Sequence, residues 1–373
     1  MLRRLLRILL VLFLAACSAP RGAGDPLRTA RQHIEASRCE GVDRYAQAIA
    51  DLQSALKAEP DRLEVYYWLY VAFSAQGNTA EAKRALAALE EAVAAGRGGS
   101  EGTFWLFQAY THKGDAAGAD RILGVMESAA RSLPSDTGAQ FWLGRAYAEQ
   151  GRMDEALQFF QKTIALNPRH SQAHFWIGQV YVGEGRWEEA RAEFDAALKE
   201  DPRSAVALHN RAVVAYQLGD LQAAASDLQA ALKEDPEDPR SHYQLGAVYL
   251  AQALPQNPFS PPDSGLLEKA RAEFDAALKA CPGMPEALIG MGNLLLVQGD
   301  PQAALAPLQQ AVERHPDSVE AWFALAQAYA ILNQTTEACD ALERFLALSP
   351  PAEWAEQAGK IKGQLGCPER SGQ

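Results

Sequence analysis

The sequence predicts an all-α protein built from stacked helix–turn–helix units. One observation is a residue pattern that recurs at an interval of 34 residues and is clearest between positions 137 and 203. Its two copies read Leu143, Gly144, Tyr147, Gly151, Ala156, Phe160, Pro168 and Ile177, Gly178, Tyr181, Gly185, Ala190, Phe194, Pro202. The other observation is that the spacing within each copy is helical. One such unit cannot bury its apolar faces alone, so the units are expected to stack into a solenoid.

The residues of one copy account for its two helices and its turn. Leu143, Gly144 and Tyr147 fall at i, i+1 and i+4, which is one face of a helix. Gly151 suits the backbone geometry just past a helix C-terminus. Ala156 and Phe160 begin the apolar stripe of a second helix, and a proline then ends it because proline cannot continue the hydrogen-bond ladder.

This period and these residue types resemble the tetratricopeptide repeat (TPR), a helix–turn–helix unit that stacks into a right-handed superhelix. Nine repeats can be aligned, and they start near Thr29, Leu63, Ser100, Thr137, Ser171, Ala205, Pro239, Pro285 and Val319. The first repeat is degenerate, and the second and third are each three residues longer than the period. We therefore predict repeats over residues 27–350, followed by a capping helix and tail over 351–373.

The seventh repeat carries 12 extra residues within 251–265. Four prolines in this stretch predict that it is not helical. Two interpretations stay open, a tolerated surface insertion and a loop that contacts a partner.

The N-terminus has the features of a secretory signal over residues 1–16. Three arginines precede an apolar run that is too short to span a bilayer, which needs ~20 residues. Leu14 to Cys17 resembles the lipobox of bacterial lipoproteins, which implies that Cys17 carries the lipid and that residues 17–26 form a tether. Ser18, which is not Asp, implies by the same resemblance an outer membrane lipoprotein facing the periplasm. The inner membrane and the cell surface remain alternatives.

The composition and the motifs argue against several classes of function. The net charge is −12 and no basic run lies beyond the N-terminal arginines, so we expect no nucleic acid partner. Gly98 to Gly102 matches the nucleophile-elbow pattern but lies between helices rather than after a strand. His170 and His174 lack the glutamate of a zinc-binding helix, and no cysteine pair has zinc or redox spacing. We therefore predict no enzyme, no cofactor and no metal site.

An extracytoplasmic location permits disulfides. Cys339 lies on the second helix of the last repeat and Cys367 at the end of the capping helix, so these two could be joined.

An aromatic pair precedes the Leu-Gly position in four consecutive repeats. In the TPR family the first helix of each repeat lines a concave groove, so these positions, with two polar residues one turn further on, are candidate groove or partner-binding residues. They are Tyr67, Trp68, Phe104, Trp105, Phe141, Trp142, Arg145, Phe175, Trp176 and Gln179. Two interpretations stay open: the rings pack between neighbouring repeats, or they form an exposed wall that receives an apolar peptide, a partner helix or a glycan. The exposed wall predicts partial solvent accessibility for the four tryptophans.

The resemblance implies a non-catalytic scaffold or adaptor for envelope assembly, whose partners are envelope proteins or peptides and, through the N-terminal lipid, the membrane. Pilus or secretin, outer-membrane and cell-wall machinery are the candidate settings. The alternative is a polysaccharide- or peptide-binding lipoprotein in exopolysaccharide export or periplasmic chaperoning.

Overall fold

A computed structural model describes residues 25–37, 39, 43–255 and 260–367. Every regular element within these residues is an α-helix, so the predicted all-α fold is confirmed. No helix among them is long and apolar enough to cross a membrane. The predicted signal, and Cys17 with nearly all of the tether, lie outside the described residues.

The chain divides into two compact units, which meet in sequence at Gly219 and Asp220. The N-terminal unit contains five helical hairpins and a final single helix. Its helices are α1 (Pro26–Ser37), α2 (Tyr45–Ala58), α3 (Glu64–Ala75), α4 (Thr79–Ala94), α5 (Gly99–Lys113), α6 (Ala116–Ser132), α7 (Thr137–Glu149), α8 (Met153–Leu166), α9 (Ser171–Gly183), α10 (Trp187–Glu200) and α11 (Ala205–Leu218). Each hairpin packs against the next, as the period predicts.

The C-terminal unit begins with a single helix, continues with three hairpins and ends with the capping helix. Its helices are α12 (Leu221–Glu234), α13 (Pro239–Ala253), α14 (Ser264–Ala280), α15 (Pro285–Val297), α16 (Pro301–Arg314), α17 (Val319–Ile331), α18 (Thr335–Ala347) and α19 (Ala352–Leu365). Every one of the nine predicted repeats thus supplies two helices.

The two helices of a hairpin meet at one close contact. A Cβ atom placed on Gly144 would lie 2.9 Å from the ring of Phe160, and one on Gly178 would lie 2.8 Å from the ring of Phe194. Both distances are shorter than a real carbon contact, so only glycine fits opposite a phenylalanine here. Gly151, in the turn between α7 and α8, adopts a left-handed φ of 74°, as its predicted role requires.

The two residues that face each other at this contact differ in side-chain size from one repeat to another. Where the first helix has a larger residue, as at Tyr70 and Phe107, the residue 16 positions later is the smaller Leu86 or Leu123. All four of these side chains are buried. Leucine on the second helix therefore accepts partners of different size, since Gly292 also faces Leu308, whereas each phenylalanine at this position, Phe160, Phe194 and Phe274, faces a glycine.

We predict that Gly144→Ala destabilises the N-terminal unit by about 1–3 kcal/mol through overpacking. Phe160→Leu in the same chain should recover part of this loss because it removes ring atoms that the new methyl group meets. Chemical unfolding of the two single variants and the double variant measures the coupling. Gly124→Ala is the matched control, since nothing lies within 4 Å of the added Cβ at this position on α6. Strictly additive effects of the two substitutions would contradict this account.

The turns between hairpins are held by a second recurring contact. A side chain near the start of a first helix reaches the carbonyl oxygen of the proline six residues before it. The donor–acceptor distances are 3.4 Å for Gln140 to Pro134, 3.1 Å for His174 to Pro168, 3.0 Å for His242 to Pro236 and 2.9 Å for Trp322 to Pro316. This contact gives a hydrogen-bond partner to a backbone carbonyl in the turn between two hairpins.

Two of these side chains are histidines held at both ring nitrogens. Nδ1 of His174 lies 2.7 Å from Glu193, and Nδ1 of His242 lies 2.7 Å from Glu273. Both nitrogens face oxygen acceptors, so the doubly protonated ring suits the site best. The glutamate hydrogen bond is the main cause that raises the pKa of each histidine above its ordinary value, against the opposing effect of burial.

His242 should therefore give the fold a pH dependence. Because the folded state raises its pKa, the stabilisation is full below the unfolded value of about 6.5 and is lost as pH rises through the folded value. The difference in melting temperature between wild type and His242→Gln should be largest at about pH 5.5 and should fade toward about pH 8.

An NMR titration of His242 tests the cause directly, and a pKa at or below about 6.5 would rule the account out. His174 is a less clean probe, because neighbouring His170 is half-buried and partial desolvation lowers the pKa of its ring.

The insertion of the seventh repeat falls between α13 and α14, and residues 256–259 within it lie outside the described residues. The helices continue to Ala253 and resume at Ser264, so the predicted non-helical stretch of 251–265 was too long at both ends. The reason is local: Pro255 is the first proline after α13, and Asp263 caps α14 by accepting from the backbone of Leu266 at 3.1 Å. Asp263 N also donates to Ala253 O at 2.9 Å, which closes the loop at its base.

The C-terminal end is fixed by packing and by a covalent bond. Trp354 on α19 is buried against Phe323 and Phe345, with ring centroids 5.6 and 6.3 Å away. Cys339 and Cys367 form a disulfide with Cα atoms 5.6 Å apart, so the predicted pairing is present in the structure.

Candidate functional site

The aromatic pairs lie inside the N-terminal unit rather than on its surface. The exposed fraction is 3% for Trp68, 1% for Trp105, 8% for Trp142 and 1% for Trp176. Of the two interpretations, the exposed wall, which required partial exposure of these four rings, was therefore wrong, and the packing of the rings inside the solenoid is the one that the structure has. Of the ten candidate groove residues only Gln179 is half-buried, and the others are buried.

Most of these rings are buried because they contact a ring of a neighbouring hairpin, and the others pack on the second helix of their own hairpin. Tyr67 lies 5.2 Å from Trp105, and Phe104 lies 4.9 Å from Trp142, measured between ring centroids. Phe141 contacts Phe160 of its own second helix instead, at 5.9 Å. Successive first helices thus join through an aromatic ladder, which we define as Tyr67, Trp68, Phe104, Trp105 and Trp142.

Arg145 continues this ladder with a cation. Its side chain has no exposed surface, and its guanidinium carbon lies 4.9 Å from the ring centroid of Phe104, 5.8 Å from Trp142 and 4.2 Å from Trp176. Glu149, one turn later on α7, supplies a carboxylate at 3.4 Å. Arg145 therefore links hairpins three, four and five through cation–π contacts, which strengthen when they are desolvated.

The indole nitrogens show where the ladder approaches the surface. Trp68 Nε1 donates to Glu64 at 3.0 Å, and Trp105 Nε1 donates to Glu101 at 3.4 Å, in each case one helical turn earlier. Trp142 has Gly138 at the corresponding position. Trp176 has Gln172 there, yet its buried Nε1 has no hydrogen-bond partner among the described residues.

A cavity of about 450 Å³ lies over this end of the ladder, and we call it the Trp142 cavity. Residues from the α2–α3 turn and from the first helices α3, α5, α7 and α9 line it. The polar and aromatic members are Glu59, Asp61, Arg62, Glu64, Glu101, Trp142 and Gln172. Trp142 is the one candidate groove residue that contributes to its wall.

Carboxylates outnumber cations in this cavity. Arg62 is held by Asp25 at 2.9 Å, while Glu64, only 2% exposed, accepts from Arg31 at 3.4 Å. Asp61 and Glu101 are exposed. The cavity can therefore offer an aromatic edge beside exposed carboxylates to a partner.

Sequence reasoning selected the buried rings and missed the residues one turn before them. The usable signal was a glutamate four residues before a tryptophan, which occurs at Glu64 and again at Glu101. A helical i, i+4 pair lies on one face, so the carboxylate meets the indole and extends beyond it toward solvent.

The comparisons with known proteins agree with this architecture. Two sequence models of the tetratricopeptide repeat match, one over residues 123–168, 209–285 and 289–353 and the other over 42–95 and 147–211. This chain belongs to the tetratricopeptide repeat family. No curated protein matches this TPR chain in sequence.

Several solved structures resemble the chain in fold. A human IFIT1 dimer with m7Gppp-AAAA is 15% identical, with a TM-score of 0.60, over 90% of this chain and 80% of that chain. A tetratricopeptide repeat protein from Parabacteroides merdae is 16% identical, with a TM-score of 0.53, over 71% and 98%. Pseudomonas aeruginosa pilF is 19% identical, with a TM-score of 0.50, over 60% and 96%. At these identities the likeness concerns the fold.

The position of the ladder predicts a structural cost for its loss. Trp105→Ala should destabilise the N-terminal unit by about 3–5 kcal/mol, because a fully buried ring is removed and a cavity remains. Trp187→Ala at the half-buried start of α10 is the matched control and should cost less. Urea unfolding followed by circular dichroism measures both, and near-normal stability of Trp105→Ala would show that the ladder is not core.

Proposed function

We propose that this TPR chain is a lipid-anchored scaffold of the bacterial cell envelope, which holds partner proteins on its stacked hairpins. The observation that carries the proposal is the order of the sequence: a lipobox-like segment ending in Cys17 directly precedes a tandem array of TPR hairpins. The segment supplies attachment to a membrane, and the array supplies a surface for protein binding. Ser18 favours the outer membrane, with the array in the periplasm.

An adaptor role fits the chemistry of the chain better than catalysis. TPR proteins are generally non-catalytic scaffolds, and the described residues hold no cluster of three or more side chains suited to a metal ion. We therefore propose that the protein acts by binding and needs no cofactor. The net charge of −12 favours proteins over nucleic acids as partners.

The Trp142 cavity is the candidate contact surface. Its wall combines the edge of Trp142 with the exposed carboxylates of Asp61 and Glu101, and four first helices contribute to it. The alternative of glycan binding depended on an exposed aromatic wall, and burial of the ladder removes that support. Assembly of pilus or secretin, outer-membrane or cell-wall machinery is the setting that we propose.

The anchor can be tested at Cys17. We expect the wild-type chain to incorporate palmitate and to fractionate with the outer membrane. Cys17→Ser should abolish lipid labelling and leave the protein soluble or unprocessed, because serine lacks the thiol that accepts the lipid. Cys367→Ser is the control for loss of a cysteine and should label normally. Normal labelling of Cys17→Ser would overturn the anchor.

The scaffold role can be tested in the same cells. A photo-crosslinking amino acid at position 101, on the wall of the Trp142 cavity, should capture proteins of the envelope. The same amino acid at the exposed position 331, on the C-terminal unit, is the control. Capture of cytoplasmic proteins alone, or equal capture at the two positions, would contradict the proposal.

A further inference from the structure

A second cavity, of about 520 Å³, lies in the N-terminal unit between the second helices α6 and α8, with α7 as its floor. We call it the Leu166 cleft. The residues that decide its character are Glu127, Arg131, Tyr147, Phe159, Lys162 and Leu166. It shares no lining residue with the Trp142 cavity.

The cleft presents apolar surface to solvent. Leu166 is 42% exposed, and Leu133, beside the lining residue Pro134, is 57% exposed. These are two of only four large hydrophobic side chains that are exposed among the described residues. An exposed apolar patch next to a cavity is typical of a binding site.

The rim of the cleft is cationic, although the protein as a whole is acidic. Arg131 and Lys162 are exposed, and neither forms an ion pair within the described part of the chain. Lys162 Nζ lies 4.5 Å from the ring centroid of Phe159. The one lining carboxylate, Glu127, accepts the hydroxyl of Tyr147 at 2.8 Å. Two cations therefore remain available to an anionic group.

The next repeat shows what an ordinary joint contains. Phe159, Lys162 and Leu166 are replaced 34 residues later by Glu193, Ala196 and Glu200. Glu193 binds His174 at 2.7 Å and so occupies its joint.

Gln140 stands where the next repeat has His174, and its amide nitrogen donates both to the carbonyl of Pro134 at 3.4 Å, the contact that His174 makes to Pro168, and to the carbonyl of Ala130 at 2.9 Å. Phe159, which stands at the position of Glu193, has no side-chain acceptor for a hydrogen bond from Gln140. The joint between α6 and α8 is therefore open, apolar and cationic, because Phe159, Lys162 and Leu166 differ from the residues at the same positions of the next repeat.

We propose that the Leu166 cleft binds a protein segment that presents a large apolar side chain flanked by carboxylates. The apolar side chain enters beside Phe159 and Leu166, and the carboxylates meet Arg131 and Lys162. An amphipathic helix laid into an apolar groove is a recurrent mode of this kind. The cleft lies on second helices, so this surface adds to the Trp142 cavity and does not depend on the lipid anchor.

The test selects random 16-residue peptides displayed on phage against the full chain. Recovered peptides should combine a large apolar residue with two or more Asp or Glu residues, against the bias expected from a protein of net charge −12. Leu166→Glu, which installs the residue of the next repeat, should weaken their binding tenfold or more. The double variant Arg131→Glu, Lys162→Glu should do the same, and binding should weaken with added salt.

Ile331→Glu is the matched control, because Ile331 is an exposed apolar residue at 57% on the C-terminal unit. It should leave peptide binding unchanged. Basic peptides, equal binding to Leu166→Glu, or no recovered peptide would each overturn the proposal. So would a dimer of the wild type that Leu166→Glu dissociates, which identifies a second copy as the occupant, or binding of laurate in place of peptides, which identifies a lipid.

Discussion

A single hairpin of this protein cannot bury all of its large side chains without its neighbours, and the remaining structure depends on this constraint. Within the N-terminal unit the constraint is met by the aromatic ladder and by Arg145. Rings from successive first helices approach to between 4.9 and 6.5 Å, and the guanidinium of Arg145 lies among three of them. The ladder uses the rings for packing, so partners are left with what surrounds it, the Trp142 cavity and the outer joints.

The fold was predictable because its signals are local. Gly151 and Pro168 end helices through their own backbone geometry, which needs no distant contact. The 34-residue period places equivalent residues in other repeats. The nine pairs of helices follow from them. The disulfide could be predicted for a similar reason, since Cys339 and Cys367 lie on consecutive helical elements that are close in sequence.

The candidate site was predictable only in part, because burial depends on the neighbouring repeat. Trp142 precedes Leu143, which places it ~100° away on the helix, and that angle suits both a groove and an interface. The choice is made by Phe104 and Trp105 across the joint, which leave 8% of Trp142 exposed. The histidine contacts were missed because they join a ring to a proline carbonyl six residues back, a spacing outside the usual helical pairs.

The two candidate binding surfaces are formed by residues that differ from those at the same positions of other repeats. Glu64 and Glu101 at the Trp142 cavity, and Phe159, Lys162 and Leu166 at the outer cleft, stand where other repeats have different residues. Because each hairpin touches only its neighbours, such changes alter one joint and leave the others intact.

The disulfide at the C-terminal end has a mechanical consequence. An array held by nearest-neighbour contacts frays from its ends, where a helix has a neighbour on one side only. The disulfide between Cys339 and Cys367 joins α19 to α18, so the terminal helix cannot separate from α18 while this bond is intact. Tension applied between the two ends of the chain would therefore pass through the disulfide, and the residues between Cys339 and Cys367 would carry none of it while the bond is intact.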